Sequence, residues 1–203
     1  MGNNYSRIVA ENLRRLFDAP PGDLTDRLGA KLDASGDWRF RAFGKDCRMA
    51  PGGISLDGRS EASVLGVLLS LYALHASPVS LQRDPFRAFR EFADSTPYHG
   101  AFAAHTEHIL VPHVHRILQA MPTVRAALDG RDAPADLGGD GAVVVHPLPK
   151  IALCYLFYEA DEDFPASVTC LFSQNADRFL PVDGLADVGE YTSRAMIGIV
   201  ADR

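Results

Sequence analysis

Residues 151–172 read IALCYLFYEADEDFPASVTCLF, and this stretch decides the fold class. Its first part, Ile151 to Tyr158, is a continuous apolar run, which is typical of a central strand that is covered on both faces. Ser167 to Phe172 is predicted to be its partner strand. The segment between them, EADEDFPA, is predicted to be an acidic hairpin loop, so this part of the chain should form an antiparallel pair of strands.

A second group of strands is predicted near the N-terminus, between residues 38 and 58. Trp38, Phe40 and Ala42 alternate with two arginines, which is typical of a half-buried strand. Glycine-containing turns then separate short apolar segments. This pattern predicts a small antiparallel meander.

Helical patterns fill most of the remaining chain. The segment EASVLGVLLSLYALHAS, residues 61–77, is apolar nearly all round and is predicted to be a buried central helix. A second, shorter helix is predicted from a stripe of Leu24, Leu28 and Leu32. Apolar residues at helical spacing predict further helices at about 5–17, 96–111, 123–128 and 182–200.

Strands at both ends of the chain, with helices between them, predict a single α+β domain. The N-terminal meander and the C-terminal strands are expected to form one antiparallel sheet, packed against the buried apolar helix and the other helices. The predicted organisation is helices and meander in 1–60, central helices in 61–129, a loop in 130–141, and strands and a helix in 142–203.

Composition excludes several classes of partner. The chain has 203 residues, a formal net charge of -6 and no run of Lys and Arg, so nucleic acid is not predicted as a partner. The apolar run Ala62 to Leu74 is too short to span a bilayer, so no membrane association is predicted. Three dispersed cysteines indicate neither a disulfide framework nor a zinc ribbon. Because the N-terminus has no apolar leader, a cytoplasmic location is expected.

A histidine-rich segment is the first candidate site. Five of the seven histidines lie between His99 and His115, and imidazole is a common metal ligand. On a regular helix His105 and His108 share a face, whereas His115 lies roughly 10 Å from His108 along the axis. His105 and His108 could therefore form a two-ligand half-site for a divalent metal, completed by another element or by a second copy in a homodimer. The alternative is a half-exposed helix that is simply rich in histidine.

The acidic hairpin is the second candidate site. Clustered carboxylates could bind a hard cation, supply acid or base groups, or contact a partner. Phe164 and Pro165 are expected to anchor the loop on the sheet, and Asn175 and Asp177 are expected to act together with it. The alternative is an ordinary polar hairpin loop, in which aspartates stabilise the turn. The candidate residues for a ligand or a partner are Asp161, Glu162, Asp163, Phe164, Asn175 and Asp177.

The run YLFYEADEDFPASVTCLFSQNADRFLPVDGL, residues 155–185, resembles the C-terminal half of the family catalogued as domain of unknown function 3786. The segment RAFGKDCRMAPGGISLDG, residues 41–58, is similar to the glycine-centred meander of that family. The matching C-terminal positions are Asp161, Glu162, Phe164, Pro165, Leu171, Phe172, Leu180 and Pro181.

The resemblance implies an anaerobic bacterial or archaeal source and no established activity. Some members resemble corrinoid-dependent methyl-transfer proteins in carrying an added four-cysteine iron–sulfur segment. Three dispersed cysteines cannot form that segment here, so a role beside corrinoid or iron–sulfur metabolism is implied by association alone.

Two functional hypotheses follow. The first is a cytoplasmic binding or accessory module, without catalysis of its own, that holds a partner protein or a small ligand at the acidic hairpin. The alternative is a metal-dependent enzyme or metal-binding protein that uses Asp161 and Glu162 together with His105 and His108. An enzyme needs a cavity where carboxylates and histidines converge, whereas a module would present an exposed apolar patch.

Overall fold

Helices and strands follow one another in groups along the chain, of which the computed structural model describes residues 4–201. The α-helices are Asn4–Asp18 (α1), Leu24–Leu28 (α2), Val64–His75 (α3), His99–Phe102 (α4), Val114–Gln119 (α5), Met121–Ala127 (α6) and Val182–Ala201 (α7). The strands are Lys31–Leu32 (β1), Trp38–Ala42 (β2), Lys45–Ala50 (β3), Gly53–Leu56 (β4), Arg59–Ser60 (β5), Arg87–Ala88 (β6), Arg131–Asp132 (β7), Gly141–Leu148 (β8), Ile151–Tyr158 (β9) and Ser167–Phe172 (β10).

The α+β class and the single domain are confirmed, but the described strands form two antiparallel sheets instead of one. The first sheet is the predicted meander, in the order β1-β2-β3-β4-β5, and the second has the order β6-β10-β9-β8-β7. Tight turns let each strand of the meander pair with the next strand along the chain. The strand hydrogen bonds of the meander are therefore formed within its own sheet. The two sheets meet instead where the Phe43 N–H donates to the Pro147 carbonyl at 2.7 Å.

Strand β9 is buried on both faces, as its apolar sequence predicts. Leu153, Tyr155 and Phe157 face the main core, whereas Cys154 belongs to a second, smaller cluster on the opposite face. That second face is covered by loop residues, namely Leu81, Phe86, Ala133 and Leu137. Since Cys170 pairs with Tyr155 and not with Cys154, the two cysteines lie on opposite faces of the sheet.

The predicted buried helix is α3. Its Leu68, Leu69 and Tyr72 side chains are almost fully buried in the main core. The Ser63 side chain caps its N-terminus by accepting from the Leu65 N–H. The Tyr72 hydroxyl donates to the Leu28 carbonyl at 2.9 Å, so this helix ties α2 into the core.

The predicted extension of the second helix to Leu32 is wrong. Helix α2 ends at Leu28 because Gly29 adopts the left-handed conformation, with φ 62°, and its N–H bonds back to the Asp26 and Thr25 carbonyls. Leu32 lies in β1 and is 56% exposed. The stripe of leucines therefore ends with the helix.

The single helix predicted over 96–111 is a series of short helical segments. A 3₁₀ turn, Thr96–Tyr98, precedes α4; a π-helical turn, Ala103–Glu107, and a 3₁₀ segment, His108–His113, follow it before α5. Pro112 lies in this 3₁₀ segment and has no N–H to donate, so it cannot complete an α-helical hydrogen bond. The π turn adds one residue to a helical turn, which changes the direction of the histidines that follow it.

Helix α7, with 20 residues, is the longest of the described helices. It packs along the π turn and the segments that follow it, and its Thr192 and Ser193 are buried. Within residues 4–201, no helix combines the length and the apolar character needed to cross a membrane.

Gly44 tests how the meander is coupled to the second half of the chain. It lies in the β2–β3 turn with φ 76°, and a β-carbon there would collide with the Ala127 carbonyl oxygen at the end of α6. We expect Gly44→Ala to lower the free energy of unfolding by about 1–3 kcal/mol more than Gly36→Ala does. Gly36 has φ 80° but nothing within 4 Å of a β-carbon, so it measures the cost of the backbone conformation alone.

Urea denaturation of both variants gives this comparison. Equal losses of stability would show that the contact between the turn and α6 does not contribute.

Candidate functional site

The acidic hairpin loop is closed by one of its own carboxylates. The Asp161 Oδ1 atom accepts from the Asp163 N–H at 2.9 Å and from the Phe164 N–H at 2.7 Å. Glu162 and Asp163 point to solvent. The prediction that Phe164 anchors the loop on the sheet is wrong, because this ring is 70% exposed. The loop therefore presents an aromatic ring among carboxylates.

Asn175 and Asp177 do not join the hairpin. They follow β10, whereas the hairpin precedes it, and a six-residue strand separates its ends by roughly 17 Å. The Asn175 side chain accepts from the Gln82 N–H and donates to the Ser80 carbonyl, both at 2.9 Å. Asp177 lies 4.0 Å from an Arg87 nitrogen. Asn175 therefore fastens the segment before β6, whereas Asp177 lies close to β6 itself.

The predicted metal ligands are not brought to a common centre. His105 Nδ1 lies 3.2 Å from Glu190 on α7, and His108 is exposed. No group of three His, Cys, Asp or Glu side chains within residues 4–201 is placed to hold a metal ion.

The histidine segment and the acidic hairpin meet at one exposed pair. His115 Nδ1 lies 2.6 Å from Glu159 Oε1, and its Nε2 lies 2.8 Å from the Gln119 amide. Both ring nitrogens of His115 are therefore engaged in this contact.

A different cavity lies beside the π turn. It has a volume of about 380 Å³ and opens between β6, the 3₁₀ turn that follows β6, α4, the π turn and the edge of β10. One wall is apolar: Phe89 and Phe102 are stacked with ring centroids 4.3 Å apart. Its polar lining residues are Arg90, His99, Glu107 and Thr169. A volume of roughly 300–1,000 Å³ with an apolar wall and a few polar groups is typical of small-molecule sites.

Glu107 is one of the polar groups that line this cavity. Its Oε1 atom accepts from the Cys170 N–H at 2.9 Å, at the point where β6 no longer pairs with β10. Burial raises the pKa of Glu107, while the Cys170 N–H and nearby His108 act in the opposite direction. Within the described chain no lysine or arginine pairs with it. A half-buried carboxylate in a cleft marks a candidate functional site.

One other polar group at the cavity, His99, is held in place by a hydrogen bond. His99 Nε2 lies 2.9 Å from the hydroxyl of buried Ser95. Burial raises the pKa of the Cys170 thiol, so this thiol stays protonated and is a poor nucleophile.

A buried hydrogen-bond network holds the π turn on the side that faces α7. The Ser193 hydroxyl donates to the Thr106 carbonyl at 2.7 Å and shares a hydrogen bond of 3.1 Å with the Tyr155 hydroxyl. A β-carbon at Gly189 would come within 2.8 Å of the Phe102 ring and of Thr106 Oγ1, so glycine allows α7 to approach closely. The network connects α7, β9 and the π turn that carries Glu107.

The fold and this site define an α+β protein of two open sheets with a lateral cavity bearing a half-buried carboxylate. The chain belongs to the family described as Domain of unknown function (DUF3786), whose family model matches residues 20–195. The resemblance seen in the sequence is thereby confirmed. No curated protein and no solved structure matches the chain significantly.

The network behind the cavity gives a prediction about stability. Ser193→Ala leaves the Thr106 carbonyl without its donor, and we expect a loss of about 1–3 kcal/mol in the free energy of unfolding. Thr106 Oγ1 is buried and has no partner among the described residues. The isosteric Thr106→Val should therefore leave stability unchanged or raise it by about 1 kcal/mol.

Thermal and urea denaturation of the two variants test this contrast. A stable Ser193→Ala protein would mean that the π turn does not depend on α7.

Proposed function

We propose that this protein is a binding module that takes a small organic ligand into the cavity beside Glu107. The observation that carries the proposal is a half-buried carboxylate, without a lysine or arginine partner among the described residues, that lines a cavity of about 380 Å³. Apolar walls with few polar groups are how proteins bury and orient small ligands. The binding role predicted from the sequence is kept, but the proposed ligand site is the cavity instead of the acidic hairpin.

Binding is better supported than catalysis. The protonated Cys170 thiol is a poor nucleophile, and His99 is engaged with Ser95 instead of Glu107. The metal-dependent alternative has less support, because Asp161 and Glu162 lie on the hairpin and His105 contacts Glu190 on α7. Content of zinc, iron and nickel after purification without a histidine tag tests that alternative directly.

Filling the cavity tests the proposed function. We expect ¹⁵N-labelled protein to show fragment-induced shifts that cluster at Ala88, Arg90 and Thr169. Ala103 lines the cavity, so Ala103→Leu should weaken these fragments about tenfold or more by occupying their volume. Ala104→Leu is the matched control, because Ala104 is on the same π turn but is exposed.

Both variants should keep the thermal midpoint of the parent within a few degrees. Fragments that bind elsewhere, or equally to both leucine variants, would overturn the proposal.

A second candidate function is docking of a partner protein at the acidic hairpin. It is favoured by two exposed aromatic side chains on this hairpin, Phe164 at 70% and Tyr158 at 36% exposure. Carboxylates flank both rings, so the fitting partner is a basic surface with an apolar pocket. Aromatic anchors of this kind commonly dominate protein interfaces.

Peptide arrays test the docking hypothesis. We expect peptides that combine Arg or Lys with apolar residues to bind, and the binding to weaken at high salt. Phe164→Ser should abolish it, with a change in stability below about 0.5 kcal/mol because the ring is exposed. Leu32→Ser is the control, since Leu32 is 56% exposed on the other sheet; equal loss in both variants would contradict the hypothesis.

We also propose a cellular location for the protein. Three free, buried cysteines and the family membership support the cytoplasm of an anaerobe. A homodimer through the exposed His105 and His108 is a further proposal, which sedimentation with and without a chelator can test.

A further inference from the structure

We infer that the ligand of the Glu107 cavity is an organic cation whose ammonium or amidinium group pairs with the Glu107 carboxylate. This inference rests on the proposed function and adds the chemical class of the ligand.

Charge balance at Glu107 is the first argument. The Cys170 N–H occupies Oε1, and no other hydrogen bond to this carboxylate is formed within residues 4–201. Each arginine that pairs with a carboxylate does so elsewhere: Arg87 lies near Asp177, and Arg194 pairs with Glu190. A half-buried carboxylate with a single neutral donor is only partly compensated, and a ligand cation would supply what is missing.

The walls of the cavity are the second argument. Phe89 and Phe102 are both nearly buried and stacked, so the cavity has an apolar side next to its charged group. A lower local dielectric strengthens the attraction between opposite charges. An apolar wall beside a carboxylate suits a ligand with a flat or aliphatic body and a cationic end.

Arg90 and His99 at the same cavity raise the opposite case, an anionic ligand. Arg90 is exposed, and the His99 ring is engaged with Ser95 through Nε2. Neither is a half-buried charge with a single neutral hydrogen-bond donor, whereas Glu107 is, so a cation is favoured. An anionic probe belongs in the test for this reason.

Three probes of nearly equal shape separate the cases: benzamidinium, neutral benzamide and anionic benzoate. We expect benzamidinium to bind about tenfold or more tightly than benzamide in an NMR titration, with shifts at Ala88, Ala103 and Thr169. Glu107→Gln should remove that advantage and leave benzamide binding unchanged. The glutamine oxygen can still accept from the Cys170 N–H, so the variant should keep its thermal midpoint.

The outcomes are distinct. Equal affinities for benzamidinium and benzamide, both blocked by Ala103→Leu, would overturn the cation and leave the cavity as a ligand site. Tighter binding of benzoate would do the same in favour of an anion. If none of the probes and no fragment binds at the cavity, the proposed function itself fails.

The pH dependence gives an independent readout. Protonation of Glu107 removes the pairing charge, so benzamidinium affinity should fall as the pH is lowered through the raised pKa of this carboxyl. The other ionisable groups around it are His108 on the same segment, Cys170 and Tyr155 on the sheet, and Arg90 and His99 across the cavity.

Protonated histidines would also repel a cation, so Glu107→Gln is titrated in parallel to measure their share. The result expected is a decrease in affinity on lowering the pH that is larger in the parent protein than in Glu107→Gln. An identical decrease in both proteins would overturn the role of Glu107.

Discussion

Covering β9 on both faces is the constraint on which the rest of the structure depends. Seven of its eight residues are buried, so one face needs the helical core and the other needs loops. The same constraint extends to β10, its neighbour, because a buried backbone N–H must find an acceptor. Where β6 ends, Glu107 provides that acceptor for Cys170. The candidate site therefore lies at the edge of β10, beyond the point where its pairing with β6 ends.

Local patterns determined the parts of the fold that the sequence could predict. The apolar run at 151–158 and the uniformly apolar 61–77 each indicate their own structure without reference to distant residues, and both predictions are confirmed. The division into two sheets was not predictable in this way, because strand composition does not reveal which edge a strand joins. The π turn was missed for a similar reason: the Ser193 hydroxyl that holds the Thr106 carbonyl comes from 87 residues away.

The same contrast between local patterns and distant contacts applies to the candidate site residues. The charge of Asp161 predicts a ligand site, whereas its carboxylate closes the hairpin turn. The nearness of Asn175 in sequence predicts that it acts with the hairpin, whereas β10 separates the two. Glu107 was visible only as one acid among histidines. In the structure it follows the buried Thr106 and precedes the buried Leu110 by three residues, which places a carboxylate at the margin of the core.

The negative charge of Glu107 favours a ligand site over a purely structural role as acceptor for the Cys170 N–H. A neutral amide or a hydroxyl could accept the Cys170 N–H equally well, without the cost of partly desolvating an ion. The ionised form is disfavoured in this position, as the raised pKa indicates. An unpaired carboxylate here thus destabilises the free protein slightly, and a cation in the cavity would reverse that effect. Under the proposed function, stability and ligand binding would be linked through a single side chain, which accepts a backbone N–H of β10 with one oxygen and lines the cavity.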